Sequence, residues 1–152
     1  MLTLPLSMAL GAGAGTPHVV AVGSGWAYNL GLKRTAWSWA PYALTFGLLP
    51  SVATLALPRP TQALNWAPAW ATGAGALIGV GAHLVNVLPD LDDDVRTGVR
   101  GFPHRIGRTA TAVLGPLLLL IASAVILAGP PGPIVTSWCY QYDAMMLLCE
   151  PP

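Results

Sequence analysis

Four aspartates lie within one short polar stretch of an otherwise apolar chain. The stretch, residues 86–107, reads NVLPDLDDDVRTGVRGFPHRIG and contains Asp90, Asp92, Asp93 and Asp94. Asp90 and Asp94 are four residues apart, so on a helix their carboxylates lie one turn apart on the same face. Such a pair can hold Mg²⁺, which binds one or two carboxylates together with water and phosphate oxygens. The spacing therefore indicates a site for a metal-bound phosphate.

The face that carries Asp90 and Asp94 extends back along the same helix to Asn86 and His83. Pro89 lies within this stretch, and we expect it to bend the helix without ending it. Basic side chains that could neutralise a bound phosphate are Lys33, Arg34, Arg96, Arg100 and Arg105. A diphosphate neutralised by these bases and by a Lewis-acid metal would be a good leaving group.

Residue types alone leave an alternative open, because an ordinary solvated loop between two membrane spans explains the same cluster. A calcium EF-hand loop beginning at Asp90 is excluded. Such a loop requires Gly at its sixth position and Glu at its twelfth, where this chain has Val95 and Gly101.

The composition is that of a membrane protein. Of 152 residues, 54% are hydrophobic and 9% are charged, and the mean hydropathy is +0.60. Soluble domains carry about 25% charged residues. A net charge of +1 gives no reason to expect a nucleic-acid partner. Cys139 and Cys149 fit no metal-binding spacing.

The hydropathy pattern predicts an all-α integral membrane helical bundle of about four transmembrane helices, followed by an irregular C-terminal tail. Glycines four residues apart in the first and third apolar segments indicate close helix packing. We divide the chain into a membrane domain, residues 1–133, and an atypical tail, residues 134–152. The predicted spans are Leu2–Leu32, Ser38–Leu57, Trp66–Leu88 and Ala110–Ala128.

The basic residues predict the orientation of these spans in the membrane. Lys33 and Arg34 follow the first span, and four arginines follow the third, so six of the seven bases fall on one side. Arg59 alone falls on the other side. By the positive-inside rule, the acidic and basic loops are expected to face the cytoplasm from the inner or plasma membrane.

Three stretches together resemble the UbiA family of intramembrane prenyltransferases, in its C-terminal portion. Asp90 and Asp94 match the family's second aspartate motif, DxxxD. YNLGLKRT, residues 28–35, is similar to the family's loop of Tyr followed by Lys-Arg-Thr. RGFPHRIG, residues 100–107, looks like the link to the next helix. The resemblance covers roughly residues 2–128.

The resemblance implies an all-helical fold of about nine spans around a cavity that opens to the lipid. It implies Mg²⁺-dependent transfer of a polyprenyl group from its diphosphate to a lipophilic acceptor, which is often aromatic. Asp90 and Asp94 are then the catalytic, metal-binding residues, and His83 faces the cavity as either a base or a packed side chain. The implied substrate-binding residues are Tyr28, Lys33, Arg34, Asn86, Arg100 and Arg105.

The sequence departs from the family at its first motif, NDxxDxxxD, since residues 1–28 contain no acid. We therefore expect a truncated form with weak or no activity alone. The alternative is a non-enzymatic small integral membrane protein whose acidic cytoplasmic loop binds a partner.

Overall fold

The structure of the chain is a computed structural model that describes residues 3–57 and 65–130. It contains six α-helices, and a 3₁₀ turn at Leu32–Arg34 follows the second of them. The predicted tail, residues 134–152, lies outside the described residues, so the division of the chain after residue 133 stays a prediction. The helices are α1 (Thr3–Met8), α2 (Ala12–Leu30), α3 (Ala40–Ala56), α4 (Ala69–Val87), α5 (Leu91–Arg96) and α6 (Phe102–Ala128).

The prediction of an all-helical membrane bundle is confirmed, since the described residues contain helices and no strand. Two helices are long and apolar enough to cross a bilayer: α4, with a mean hydropathy of 1.2, and α6, with 2.4. The second predicted span corresponds to α3, which is apolar but has only 17 residues. The 19 residues of α2 include Gly, Ser, Thr, His and Asn, and the helix does not reach the same hydropathy.

The four long helices pack in chain order: α2 on α3, α3 on α4, and α4 on α6. Ser24 of α2 and Thr45 of α3 share a hydrogen bond of 2.6 Å between their hydroxyl oxygens. On α4, Gly75 and Gly79 lie against the backbone of α3, where a methyl group on Gly79 would collide with the Tyr42 carbonyl. The small-residue spacing of this segment thus permits the close approach that the sequence predicted.

The same principle joins α4 to α6. A Cβ atom on Gly81 would lie 3.0 Å from the Gly115 carbonyl oxygen, and one on Gly115 would lie 2.9 Å from a Val85 methyl group. Near the other end of this pair, Trp70 of α4 packs against Gly129, just after α6. The two helices are therefore antiparallel, as are α2 with α3 and α3 with α4.

The alternation of directions places every described acid and base at one end of the bundle, which we call the charged end. It is formed by the 3₁₀ turn after α2, the start of α3, the end of α4, the whole of α5 and the start of α6. The charged side chains there are Lys33, Arg34, Asp90, Asp92, Asp93, Asp94, Arg96, Arg100, Arg105 and Arg108.

Two helix boundaries differ from the prediction, and a glycine explains each. The predicted first span is two helices, because Gly11 adopts φ 84° and breaks the chain between α1 and α2. The predicted last span starts at Phe102 instead of Ala110, and Gly107 at φ 84° kinks it. The buried Thr111 hydroxyl lies 2.8 Å from the Gly107 carbonyl oxygen and 3.2 Å from that of Pro103, and so it links the two parts of the kinked helix.

Ser38, which precedes α3, connects three elements at the charged end. Its side chain is fully buried, and its Oγ accepts the Phe102 backbone N–H at 2.9 Å. The same Oγ lies 3.0 Å from His83 Nε2 on α4. Gly101 makes this approach possible, since a Cβ atom there would lie 2.8 Å from Ser38 Oγ and 2.6 Å from the Lys33 carbonyl oxygen. Ser38 therefore fixes the loop after α2 against the start of α6.

We predict that Ser38→Ala lowers the free energy of unfolding by about 1–3 kcal/mol, because it strands the Phe102 N–H and His83 Nε2 without partners. Denaturant unfolding in detergent micelles measures the change. Ser123→Ala is the matched control, since Ser123 is exposed and donates only to the Leu119 carbonyl within α6. Equal stability of the two variants would contradict a structural role for the Ser38 hydroxyl.

Candidate functional site

Asp90 and Asp94 lie on one helical turn at the charged end. Asp90 is the N-cap of α5, and its carbonyl oxygen accepts the Asp94 backbone N–H at 2.8 Å. The Asp90 carboxylate makes no capping hydrogen bond to the backbone of α5. The two carboxylates thus have the one-turn spacing that the sequence predicted.

The longer column of ligands predicted on a single helix is not continuous. α4 ends at Val87, and a turn over residues 88–90 separates it from α5. Pro89 lies inside that turn, where its ring and missing N–H oppose an unbroken α-helix. His83 is therefore buried within the bundle, while Asn86 is exposed one turn later on α4. The expectation that Pro89 only bends the helix was wrong.

Ion pairs divide the four aspartates into two kinds. Asp93 pairs with Arg96 and Asp92 pairs with Arg108, each at 2.9 Å between highly exposed side chains. Asp90 has no ion pair or side-chain hydrogen bond with any described residue. The ion-pair partner of Asp94 in the described part of the chain is His104, whose Nε2 lies 3.6 Å from Asp94 Oδ2.

The basic residues divide in the same way. Arg96 and Arg108 are engaged by aspartates, as described above. The other four bases of the charged end have no ion pair in the described part of the chain. They are Lys33, Arg34, Arg100 and Arg105. The unpaired groups therefore comprise four bases and the two aspartates of the one-turn pair.

The structure brings two of the basic segments into contact. The Lys33 carbonyl oxygen lies against Gly101, the residue after Arg100. A Cβ atom added to Gly101 would be only 2.6 Å from that oxygen. The 3₁₀ turn with Lys33 and Arg34 is thereby held beside the segment that leads into α6. No recorded contact joins Arg105 or Asn86 to the aspartate pair, although both belong to elements at the charged end.

An aromatic group lies beneath the charged end. The ring of Tyr28 meets those of Tyr42 and His83 edge-on, with centroids 5.3 Å and 5.8 Å away, and the Tyr42 and His83 rings are 4.7 Å apart. Tyr28 also lies within electrostatic range of the Asp94 carboxylate. His83 is 1% exposed and bonded to Ser38, so it is a packed side chain in this structure.

A cavity of about 320 Å³ opens between α2 and α3 beside this aromatic group. Its walls are mostly apolar, with the hydroxyl and amide groups of a few side chains among them. It is lined by Gly25, Tyr28, Asn29, Pro41, Tyr42, Thr45 and Phe46. A lipophilic molecule in this cavity would lie next to Tyr28 and hence close to the charged end.

Sequence reasoning missed Ser38, Tyr42 and His104. His104 is carried by the RGFPHRIG stretch that was singled out, and a histidine next to four aspartates is a recognisable signal. Tyr42 carried no specific signal, since an aromatic residue near the end of an apolar segment is also common at a membrane–water interface. Ser38 carried no signal, since one serine between Trp37 and Trp39 has no pattern around it.

The donors present fit Mg²⁺ as a metal shared with a substrate. The described residues contain no group of three or more His, Cys, Asp or Glu that could form a cage of protein ligands. Mg²⁺ does not require one, because it is commonly bound by one or two carboxylates with waters and substrate phosphates. Asp90 and Asp94 are two such carboxylates, and neither forms an ion pair with a Lys or Arg of residues 3–57 or 65–130.

Comparison with known proteins supplies the family. No curated protein and no solved structure matches the chain. A family description does match: that of the UbiA prenyltransferase family, over residues 1–149, which is almost the whole sequence. The match agrees with the helical membrane bundle, and it includes the charged end in full. The chain belongs to the UbiA prenyltransferase family.

Proposed function

We propose that the charged end binds a polyprenyl diphosphate together with Mg²⁺, for transfer of the prenyl group to a lipophilic, aromatic acceptor in the membrane. The observation that supports this proposal is that some charged side chains at this end form ion pairs with one another and others do not. Among the described residues, Asp90 and Asp94 have no Lys or Arg partner, and four bases on neighbouring segments have no acidic one. A strongly anionic ligand with a divalent cation complements both sets.

The proposed division of roles follows from the chemistry of each side chain. Asp90 and Asp94 hold the metal, which acts as a Lewis acid on the diphosphate when bound. Lys33 and Arg34 from one segment, and Arg100 and Arg105 from another, donate hydrogen bonds to phosphate oxygens. These donors stabilise the negative charge that develops on the diphosphate as its bond to the prenyl carbon breaks.

The acceptor completes the proposed reaction. The prenyl C–O bond breaks with its electron pair leaving on the diphosphate, and the allylic carbocation is attacked by the acceptor, which then loses a proton. The cavity beside Tyr28 supports an acceptor that is lipophilic and aromatic, because its lining includes three aromatic rings. Low dielectric around the cavity would strengthen each electrostatic contact made at the charged end.

The sequence carries one aspartate motif where the family has two. We therefore expect weak turnover, or none, from this chain alone, and the experiments below use binding as the measured quantity. Binding of a non-hydrolysable prenyl thiodiphosphate can be followed in detergent micelles by calorimetry. The probe tests the diphosphate site without requiring an acceptor or the missing motif.

We predict that binding of geranyl thiodiphosphate requires Mg²⁺ and is weakened more than about 100-fold, but not abolished, in Asp90→Asn and in Asp94→Asn. Removal of a metal ligand should exceed the roughly 10–100-fold loss that outer-shell partners cause. Asp92→Asn is the matched control, since it removes an exposed ion pair worth about 1 kcal/mol or less. Binding that ignores both Mg²⁺ and Asp90→Asn would favour a non-enzymatic membrane protein with an acidic partner-binding loop.

We also predict that Lys33→Gln weakens thiodiphosphate binding about 10–100-fold at saturating Mg²⁺, the loss expected for one or two charge-assisted hydrogen bonds. Arg96→Gln removes the same charge from the same end but from a side chain already paired with Asp93, so its affinity should match that of the unmodified chain. If both variants weaken binding equally, general electrostatic attraction and not a built site holds the diphosphate.

The charged end is inferred to face the cytoplasm by the positive-inside rule. A single cysteine at exposed Arg96, in a chain with Cys139 and Cys149 replaced by Ser, should react with a membrane-impermeant maleimide in inverted vesicles and not in intact cells. A cysteine at exposed Trp66, at the opposite end of α4, should show the reverse pattern. The opposite result at both positions would invert the orientation.

A further inference from the structure

His104 is buried beside Asp94, and its ring has no hydrogen bond to any residue that the structure describes. It lies in the first turn of α6, and its side chain is 7% exposed. Neither ring nitrogen has a hydrogen-bond partner, although both are shielded from solvent. A neutral imidazole always presents one N–H donor and one acceptor, and leaving a buried polar group unpaired costs about 1–3 kcal/mol. A native site with two such atoms calls for an explanation.

The unpartnered atoms are concentrated in one place. In the part of the chain that the structure describes, the buried side-chain nitrogens and oxygens without a partner are both ring nitrogens of His104 and Nδ1 of His83. The two rings are close enough to interact electrostatically. His83 is already committed through Nε2 to Ser38. His104 is therefore the histidine whose two ring nitrogens are both available for a hydrogen bond.

Asp94 is close enough to His104 to become the acceptor of such a hydrogen bond. His104 Nε2 lies 3.6 Å from Asp94 Oδ2, which is too long for a hydrogen bond but within reach of a small side-chain adjustment. Carboxylates that bind metals are commonly oriented by hydrogen bonds from an outer shell of side chains. An N–H donor at Oδ2 would fix the carboxylate and leave its other oxygen for the cation.

We propose that His104 is a positioning residue for Asp94: its Nε2–H donates to Asp94 Oδ2 and orients the carboxylate toward the divalent cation. This proposal rests on the proposed function, since it assumes that Asp94 binds a metal. The backbone around His104 favours such a role. Pro103 precedes it in the first turn of α6, and the Ser38 hydroxyl holds the neighbouring Phe102 N–H, so the ring is carried on a fixed segment.

The test measures Mn²⁺ binding by electron paramagnetic resonance and uses the full chain in detergent, with geranyl thiodiphosphate present. His104→Phe should weaken Mn²⁺ binding about 10–100-fold. His104→Gln should retain most of the affinity because its amide nitrogen reaches the position of Nε2. His104→Asn should not, since its amide nitrogen reaches only the position of Nδ1. His18→Phe, at the opposite end of the bundle, should leave the affinity unchanged.

A double-mutant cycle separates positioning from a merely structural role. In an Asp94→Asn background, His104→Phe should cause no further loss of Mn²⁺ affinity, whereas in an Asp90→Asn background the further loss should persist. Equal losses in both backgrounds would assign His104 a structural role and overturn the proposal. So would wild-type Mn²⁺ affinity in His104→Phe.

Failure of the proposed function gives a different result. If the unmodified chain binds neither Mn²⁺ nor the thiodiphosphate, Asp94 has no metal to orient, and both proposals fall together. If the unmodified chain binds both ligands and Asp94→Asn weakens binding while all His104 variants bind normally, only the positioning role is refuted. Should His104→Phe not fold, the contrast between His104→Gln and His104→Asn decides the question.

Discussion

Charge is expensive in the hydrocarbon interior of a bilayer, and this constraint arranges the molecule. The long helices are built from apolar and small residues, and they alternate in direction. Every described acid and base is consequently collected at one end, although these residues come from two separate stretches of the sequence, residues 33–34 and 90–108. A concentration of charge at that end follows from the fold itself. What makes it a candidate site is that some of these charges are paired with one another and others are not.

Close packing of the helices determines where the groups at the charged end lie relative to one another. Gly79 and Gly81 let the backbones of α3 and α6 approach α4 from two sides, and near the charged end α4 carries His83. The hydroxyl of Ser38 then joins His83 to the start of α6. One buried serine thus connects the segment bearing Lys33 with the segment leading to the remaining bases. The relative position of these groups depends on it, although it touches no proposed ligand.

The sequence was sufficient for the fold class and for the central spacing. Apolar runs of the right length predicted a helical membrane bundle, and the four-residue interval between Asp90 and Asp94 predicted carboxylates one turn apart. Hydropathy could not locate the helix breaks, because Gly11 and Gly107 are also normal packing residues in membrane helices. Nor could periodicity decide whether Pro89 bends or ends a helix, since that depends on how the following turn packs.

The division of the acids could not have been read from the sequence at all. Asp92 and Asp93 stand between the two proposed ligands and have the same side chain, yet each is engaged by an arginine. Their partners are set by which way α5 presents each residue, and by the kink that brings Arg108 back toward α5. Four identical carboxylates thereby acquire two roles. Asp92 and Asp93 each pair with an arginine, whereas Asp90 and Asp94 have no Lys or Arg partner among the described residues, and Asp94 faces a buried histidine. Removal of any of the four carboxylates changes the net charge equally, but only the removal of Asp92 or Asp93 also frees an arginine, so the same substitution has different consequences at the two kinds of position.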